Sequence, residues 1–325
     1  MINKIKQTVL QQNVILLFLF LLIFFGITKG NLFLNSRNLQ NIARQISFDI
    51  PLGMALTSVL IVGGIDLSIG SVMSMAAALT IRFQTHGTYL AVIVALLFGI
   101  CIGVINGLLV TKGKVVPFIA TLGSMTLVKG IMLTYTKQRS FAGIDEDFTF
   151  WGDGSLFKII PTPFIIVFFV ALILHIILKY TSFGRDIYAI GGNSEAAFNA
   201  GINVDKNKII AYTISGFLAA LSGVLLASRL NSSSTQIGLD SVNWAIASAI
   251  IGGARMSGGR GSIFGTLLGV ASLGMLNNGM NLVGIQTYYQ IGIRALILLT
   301  VVISDAISET RVQKTLQLQS YGNRI

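Results

Sequence analysis

In Gly63-Gly64-Ile65-Asp66-Leu67-Ser68-Ile69-Gly70 a carboxylate stands two residues before a hydroxyl, inside an otherwise apolar stretch. Hydrocarbon offers backbone N–H and C=O groups no partners, so irregular chain at membrane depth persists only inside protein or along a watery cavity. An acidic side chain there is costly and marks a functional path by default. Gly64, Asp66 and Ser68 are therefore candidates for lining such a path, because a carboxylate and a hydroxyl supply the acceptors and the donor that a hydroxyl-rich neutral solute needs. The same two side chains suit capping of the half-helix that follows, and both readings stand at this point. Asn106, Asn277, Asn278 and Asn281 lie in apolar surroundings and extend the candidate set, with hydrogen bonding between helices as the alternative. Lys129 and Arg294 also fall inside apolar runs, where a long cation snorkels, pairs with a carboxylate or faces the path.

A second group is suited to contact. In Gly192 to Ile202, Asn193 or Ser194 can cap a short helix, Glu195 favours its first turn, and Gly201 can end it. With Ala196 and Ala197 on its body, this two-turn helix needs something to dock on, either a partner or its own bundle. Catalysis finds no footing: His86 and His175 lack metal-ligand spacing, and lone Cys101 has no histidine near it. There is no Gly-x-x-x-x-Gly-Lys-[Ser/Thr] loop, so the chain offers no nucleotide site of that kind and is expected to hold no cofactor or metal of its own.

These groups sit on membrane helices. With 53% hydrophobic and 11% charged residues and a mean hydropathy of +0.78, the chain is an all-α polytopic membrane bundle, expected to form a single domain over residues 1–325. Apolar runs of near-spanning length give about ten segments, some short or discontinuous. They run from Val9 to Ile27, Ile46 to Val62, Leu67 to Ile81, Tyr89 to Val110, Pro117 to Tyr135, Pro163 to Leu178, Ile209 to Leu230, Val242 to Ile251, Ile263 to Leu276 and Tyr288 to Ile303. The first lacks a small-residue cleavage site and reads as a retained helix. Taking the N-terminus as cytoplasmic places 13 Lys and Arg residues inside and 8 outside, which favours cytoplasmic N- and C-termini. Residues 179–208 then form a cytoplasmic loop and residues 136–161 an extracytoplasmic one, whose Asp145 to Asp153 acidic cluster reads as a solvated face. The net charge of +11 fits topology and contact with anionic lipid, since no basic patch interleaved with aromatics points to nucleic acid.

A faint internal echo divides the chain into two weakly related halves. Gly99, Gly103 and Gly107 are matched by Gly261, Gly265 and Gly269, and the break at Gly63 has a counterpart in Gly252 to Gly261. Paired interruptions of this kind point to a substrate path near the repeat interface.

The Gly63 to Gly70 block, the Glu-Ala-Ala-x-x-x-Gly loop at Glu195 to Gly201, Gly258-Gly259-Arg260-Gly261-Ser262 and Leu276 to Leu282 together resemble the permease subunits of ribose-type ATP-binding-cassette sugar importers. Ile187 to Asn193 and Tyr288-Tyr289-Gln290 add to the match, which covers most of the chain from Asn38 to Asp305. The resemblance implies a bacterial inner-membrane permease that pairs with a second permease chain, the same or a sister. It also implies docking on a cytoplasmic ATPase and delivery of a monosaccharide by an extracytoplasmic (periplasmic) binding protein. Under it Asn193, Ser194, Glu195, Ala196, Ala197 and Gly201 would couple to the ATPase. The chain departs from the broader importer pattern in lacking Leu-Pro after that loop. From the residues alone, an ion-coupled secondary transporter using Asp66 and Arg294, and a non-transporting bundle, remain open alternatives.

Overall fold

The computed structural model describes residues 2–238 and 240–322. Side chains at 2–13, 304–306 and 308–322 lie outside the described residues, and with them the Lys4, Lys6, Arg311, Lys314 and Arg324 charges of the inside count. Among the described residues thirteen α-helices account for the architecture, and the strands are two-residue pairs. Six of these helices are long and apolar enough to cross a membrane. They are the Val14–Phe33 part of α1 (Ile2–Phe33), α4 (Thr88–Thr111), α5 (Pro117–Thr136), α7 (Thr162–Tyr180), α10 (Val204–Leu230) and α12 (Ile263–Val283). The remaining apolar segments are α2 (Ser36–Ile61), α3 (Ile69–Arg82), α11 (Ser241–Ile251) and the Thr287–Ile303 part of α13 (Thr287–Gly322).

Helix α2 starts ten residues before the span expected from hydropathy, because Asn35 caps it through the Arg37 amide at 2.9 Å and its first turns are polar. From Ile50 to Ile61 every residue is buried, so α2 is the central post of the bundle, packed by α7, α10, α11 and α12. Helices α3 and α11, at 14 and 11 residues, reach only about 21 and 16 Å, short of a roughly 30 Å hydrocarbon core. Thirteen of the fourteen α3 residues are buried, so it is an inserted half-helix walled by α4, α5 and α10. By contrast α4, α5 and α7 each expose an apolar face, carried by Ile93 and Leu97, Ile119 and Leu127, and Phe169 and Ile173.

Glycines set the closest approaches. A Cβ on Gly99 or Gly103 would lie 2.3 Å from the Gly216 or Tyr212 carbonyl of α10, and one on Gly265 2.0 Å from that of Gly252. The two glycine ladders are thus both helix-packing faces, α4 on α10 and α12 on the end of α11.

The two loops lie at opposite ends. Residues 141–142 pair with 232–233 beside the C-terminal end of α10, where Asp153 lies 3.2 Å from Arg44 and 3.8 Å from Arg229. Asp145 accepts hydrogen bonds from the Thr88 hydroxyl and the Phe148 amide, so the acidic loop is tied to the bundle as well as solvated. Residues 179–208 are mostly helical, comprising α8 (Ser182–Gly192), α9 (Ser194–Asn199) and the start of α10.

Candidate translocation site and coupling helix

The break between α2 and α3 is held by one buried hydrogen-bond chain. Asp66 is fully buried; its Oδ1 accepts from the Ser68 amide at 3.0 Å and the Ser68 hydroxyl at 2.6 Å, and its Oδ2 accepts from the Ser215 hydroxyl of α10 at 2.8 Å. Asn106 Nδ2 of α4 donates to Ser68 Oγ at 2.9 Å, and Ser124 of α5 donates to Asn106 Oδ1 at 2.5 Å. The Tyr212 hydroxyl donates to the Ile65 carbonyl at 3.2 Å. A Cβ at Gly64 would lie 2.5 Å from that hydroxyl, which is why glycine stands there. Asp66, Ser68 and Asn106 therefore come together, and the acceptors of the break are met by Ser68 itself and by donors from α4, α5 and α10 in place of water, as low-dielectric surroundings require.

The other path candidates lie elsewhere. Asn278 and Asn38 exchange amide hydrogen bonds at 2.8 and 2.9 Å, tying α12 to the start of α2. Asn281 accepts from Gln290 at 2.8 Å, joining α12 to α13. Asn277 lines a cavity of about 270 Å³ with Gln45, Asp49, Met73, Ser241, Trp244 and Arg294, among others. Arg294 Nη2 donates to Asn277 Oδ1, and the guanidinium lies 5.0 Å from the centre of the Trp244 ring. A second cavity of about 350 Å³, more apolar, shares Trp244, Leu273 and Arg294 with the first. Lys129, in contrast, points outward from α5.

At the opposite end α9 forms as its sequence suggests. Asn193 is the cap, its Oδ1 accepting from the Ala196 amide at 2.9 Å; Glu195 occupies the first turn, and Gly201 leaves the helix at φ +83°. Ala197 is buried against the bundle while Glu195, Ala196 and Phe198 are exposed. Just before α9 three backbones meet. Gly259 N donates to Ile61 O at 2.9 Å, and a Cβ on Gly191 would lie 1.8 Å from that same oxygen and 2.4 Å from Gly259 N. Tyr188 donates its hydroxyl to Gly261 O at 2.8 Å, and burial pushes this phenol up to about 12, so it stays a neutral donor at physiological pH. The two glycine interruptions at Gly63 and Gly252 to Gly261 thus lie at one end and touch each other through α8.

The family model described as branched-chain amino acid transport system, permease component, matches residues 38–302. The ribose import permease protein RbsC of Bacillus subtilis (strain 168) is 40% identical over 291 residues, 88% of this chain and 90% of that protein. The chain belongs to this permease family. Similar relatives of the permease include the D-allose transport system permease protein AlsC of Escherichia coli (strain K12), 36% identical over 86% of this chain and 87% of that one. The xylose transport system permease protein XylH of Haemophilus influenzae is 28% identical over 95% of this chain and 100% of its own. No solved structure matches the permease.

Sequence reasoning passed over three features of the permease. Asp49 sits near the start of the expected Ile46 to Val62 span, and the rule that singled out Asp66 applies to it equally. The Gly238-Leu239-Asp240 run repeats the Gly64-Ile65-Asp66 pattern, with a serine one residue after Asp240 and two after Asp66 and an apolar half-helix beyond each, and is a better echo than Gly252 to Gly261. Gly238 in fact reaches the start of α3, where a Cβ on it would lie 2.2 Å from the Gly70 carbonyl. Phe198, 69% exposed on α9, was readable as an apolar residue on a polar surface helix.

Proposed function

We propose that this permease forms the membrane path of a ribose-type ATP-binding-cassette importer, carrying a monosaccharide delivered by an extracytoplasmic binding protein. Its relatives are named for ribose, D-allose and xylose, all neutral monosaccharides. The observation that carries the coupling half of the proposal is the placement of α9. One side of it is exposed, and the helix just before it, α8, is keyed through Gly191 and Tyr188 to both interrupted segments. In this reading Asn193, Ser194, Glu195, Ala196, Ala197 and Gly201 present the helix to a cytoplasmic ATPase, which binds ATP and Mg. ATPase closure pushes α9, the glycine junction moves, and the ends of α2 and α12 shift to alternate access. The N- and C-termini lie on the cytoplasmic side of the bacterial inner membrane, residues 136–161 face the binding protein, and a second permease chain completes the unit.

The test is uptake into liposomes holding the permease, its ATPase and its binding protein. Ribose, galactose or xylose is expected to accumulate only with internal ATP, and leucine is expected to stay outside. Uptake that needs no ATP and vanishes with the membrane potential would establish the ion-coupled alternative instead.

A further inference from the structure

We propose that the cavity bounded by α2, α3, α10, α11, α12 and α13 is a transit site for one neutral monosaccharide. Trp244 is its stacking wall, and Asp49, Asn277 and Arg294 read the hydroxyls. The inference rests on the importer function proposed above and assigns the sugar contact to different residues from the Asp66 network. That network has little to offer a solute: both Asp66 oxygens and both Asn106 amide atoms are engaged within the protein. A sugar could reach them only by breaking bonds that hold the chain break closed.

The cavity differs in three ways. Its volume, about 270 Å³, falls just below the roughly 300–1,000 Å³ of small-molecule sites, which suits a single sugar ring. Its donors are incompletely used: Arg294 donates through Nη2, while its Nε is buried with no partner. An unmet donor in a low-dielectric site is costly, and a small turn of the guanidinium on sugar binding would bring it to a hydroxyl oxygen. Finally, an aromatic wall stands beside opposite charges. The indole offers an apolar face to the C–H face of a sugar ring, and the guanidinium fork and the Asp49 carboxylate offer donors and acceptors to its edge. Asp49 faces two cations in the lining, Arg294 and Arg229, and Arg229 also lies 3.8 Å from Asp153, so charges of both signs surround the space, which disfavours charged solutes relative to a neutral polyol. Ser241, the first residue of the half-helix α11, and Met73 of the half-helix α3 reach the same space, so the site lies where both short helices converge.

The chain has two tryptophans, so Trp151→Phe leaves Trp244 as the sole indole reporter. With the solubilised permease on its own, ribose or xylose at millimolar concentration is expected to change its fluorescence saturably, and leucine to leave it unchanged. In liposomes, Trp244→Ala and Asp49→Asn are each expected to lower kcat/KM for ATP-driven uptake about tenfold, with Trp244→Phe retaining most of it, since a phenyl ring preserves the stacking wall. ATP hydrolysis in the absence of sugar is the folding control, and Asp49→Asn, which is isosteric, decides the matter if Trp244→Ala proves unstable. Unchanged kcat/KM in both variants, or silent Trp244 fluorescence while the wild type still imports sugar, would overturn the site and leave the importer standing. A wild type that imports leucine and no sugar would remove both.

Discussion

Both oxygens of Asp66 accept hydrogen bonds from serines, and the carboxylate is reached by no basic side chain within salt-bridge distance among the described residues. Its role follows from acceptor geometry: three helices, α4, α5 and α10, donate into one break, and the break would otherwise leave polar backbone in hydrocarbon. Asp66→Asn puts an amide N–H₂ where a hydroxyl or a backbone N–H must donate. The expected cost is about 1–3 kcal/mol, the desolvation penalty of a buried group left unpaired. It is read as a lower unfolding temperature of the solubilised permease, and Ser215→Ala is expected to lower it less. An unchanged temperature in Asp66→Asn would mean that the network is not what holds the break. The composition of the Gly63 to Gly70 block made its special nature legible, but its partners were not. Ser215 lies 149 residues away, and a serine in a helix carries no sign of what it will meet.

Among the elements, α9 was legible almost to the residue, since its cap, its first-turn acid and its terminal glycine are local signals. Helix α2 was less so. A helix buried on all sides shows no 3.6-residue period, and its polar first turns fall outside any apolar window. The half-helix α3 was seen as a short apolar run, yet its complete burial depends on walls supplied by the rest of the chain. Helix α9 and its glycine junction make separable predictions. Glu195→Arg alters an exposed side chain and is expected to abolish co-purification of the ATPase while the permease stays folded. Gly191→Ala forces a Cβ to within 1.8 Å of the Ile61 carbonyl, so the junction must open. That variant is expected to keep the ATPase bound and hydrolysing ATP while sugar uptake falls. If Gly191→Ala imports normally, motion passes to the path by another route.

For the whole molecule, the segregation of the 136–161 and 179–208 loops to opposite ends makes sidedness testable. In a Cys101→Ser background, a single cysteine at Phe157 is expected to react with a membrane-impermeant maleimide added outside intact cells, and one at Phe198 only after the membrane is opened. Both native side chains are exposed, so neither replacement disturbs the core. Labelling of both from outside would refute the assigned topology. The long separation between Asp66 and Ser215 also bears on biogenesis. At roughly 5–20 residues per second the ribosome delivers Ser215 about seven to thirty seconds after Asp66. Throughout that interval the nascent first half holds an unfinished hairpin whose acid has no serine from α10. A chain truncated before residue 215 never acquires that donor, so its Asp66 Oδ2 stays without the bond that closes the break.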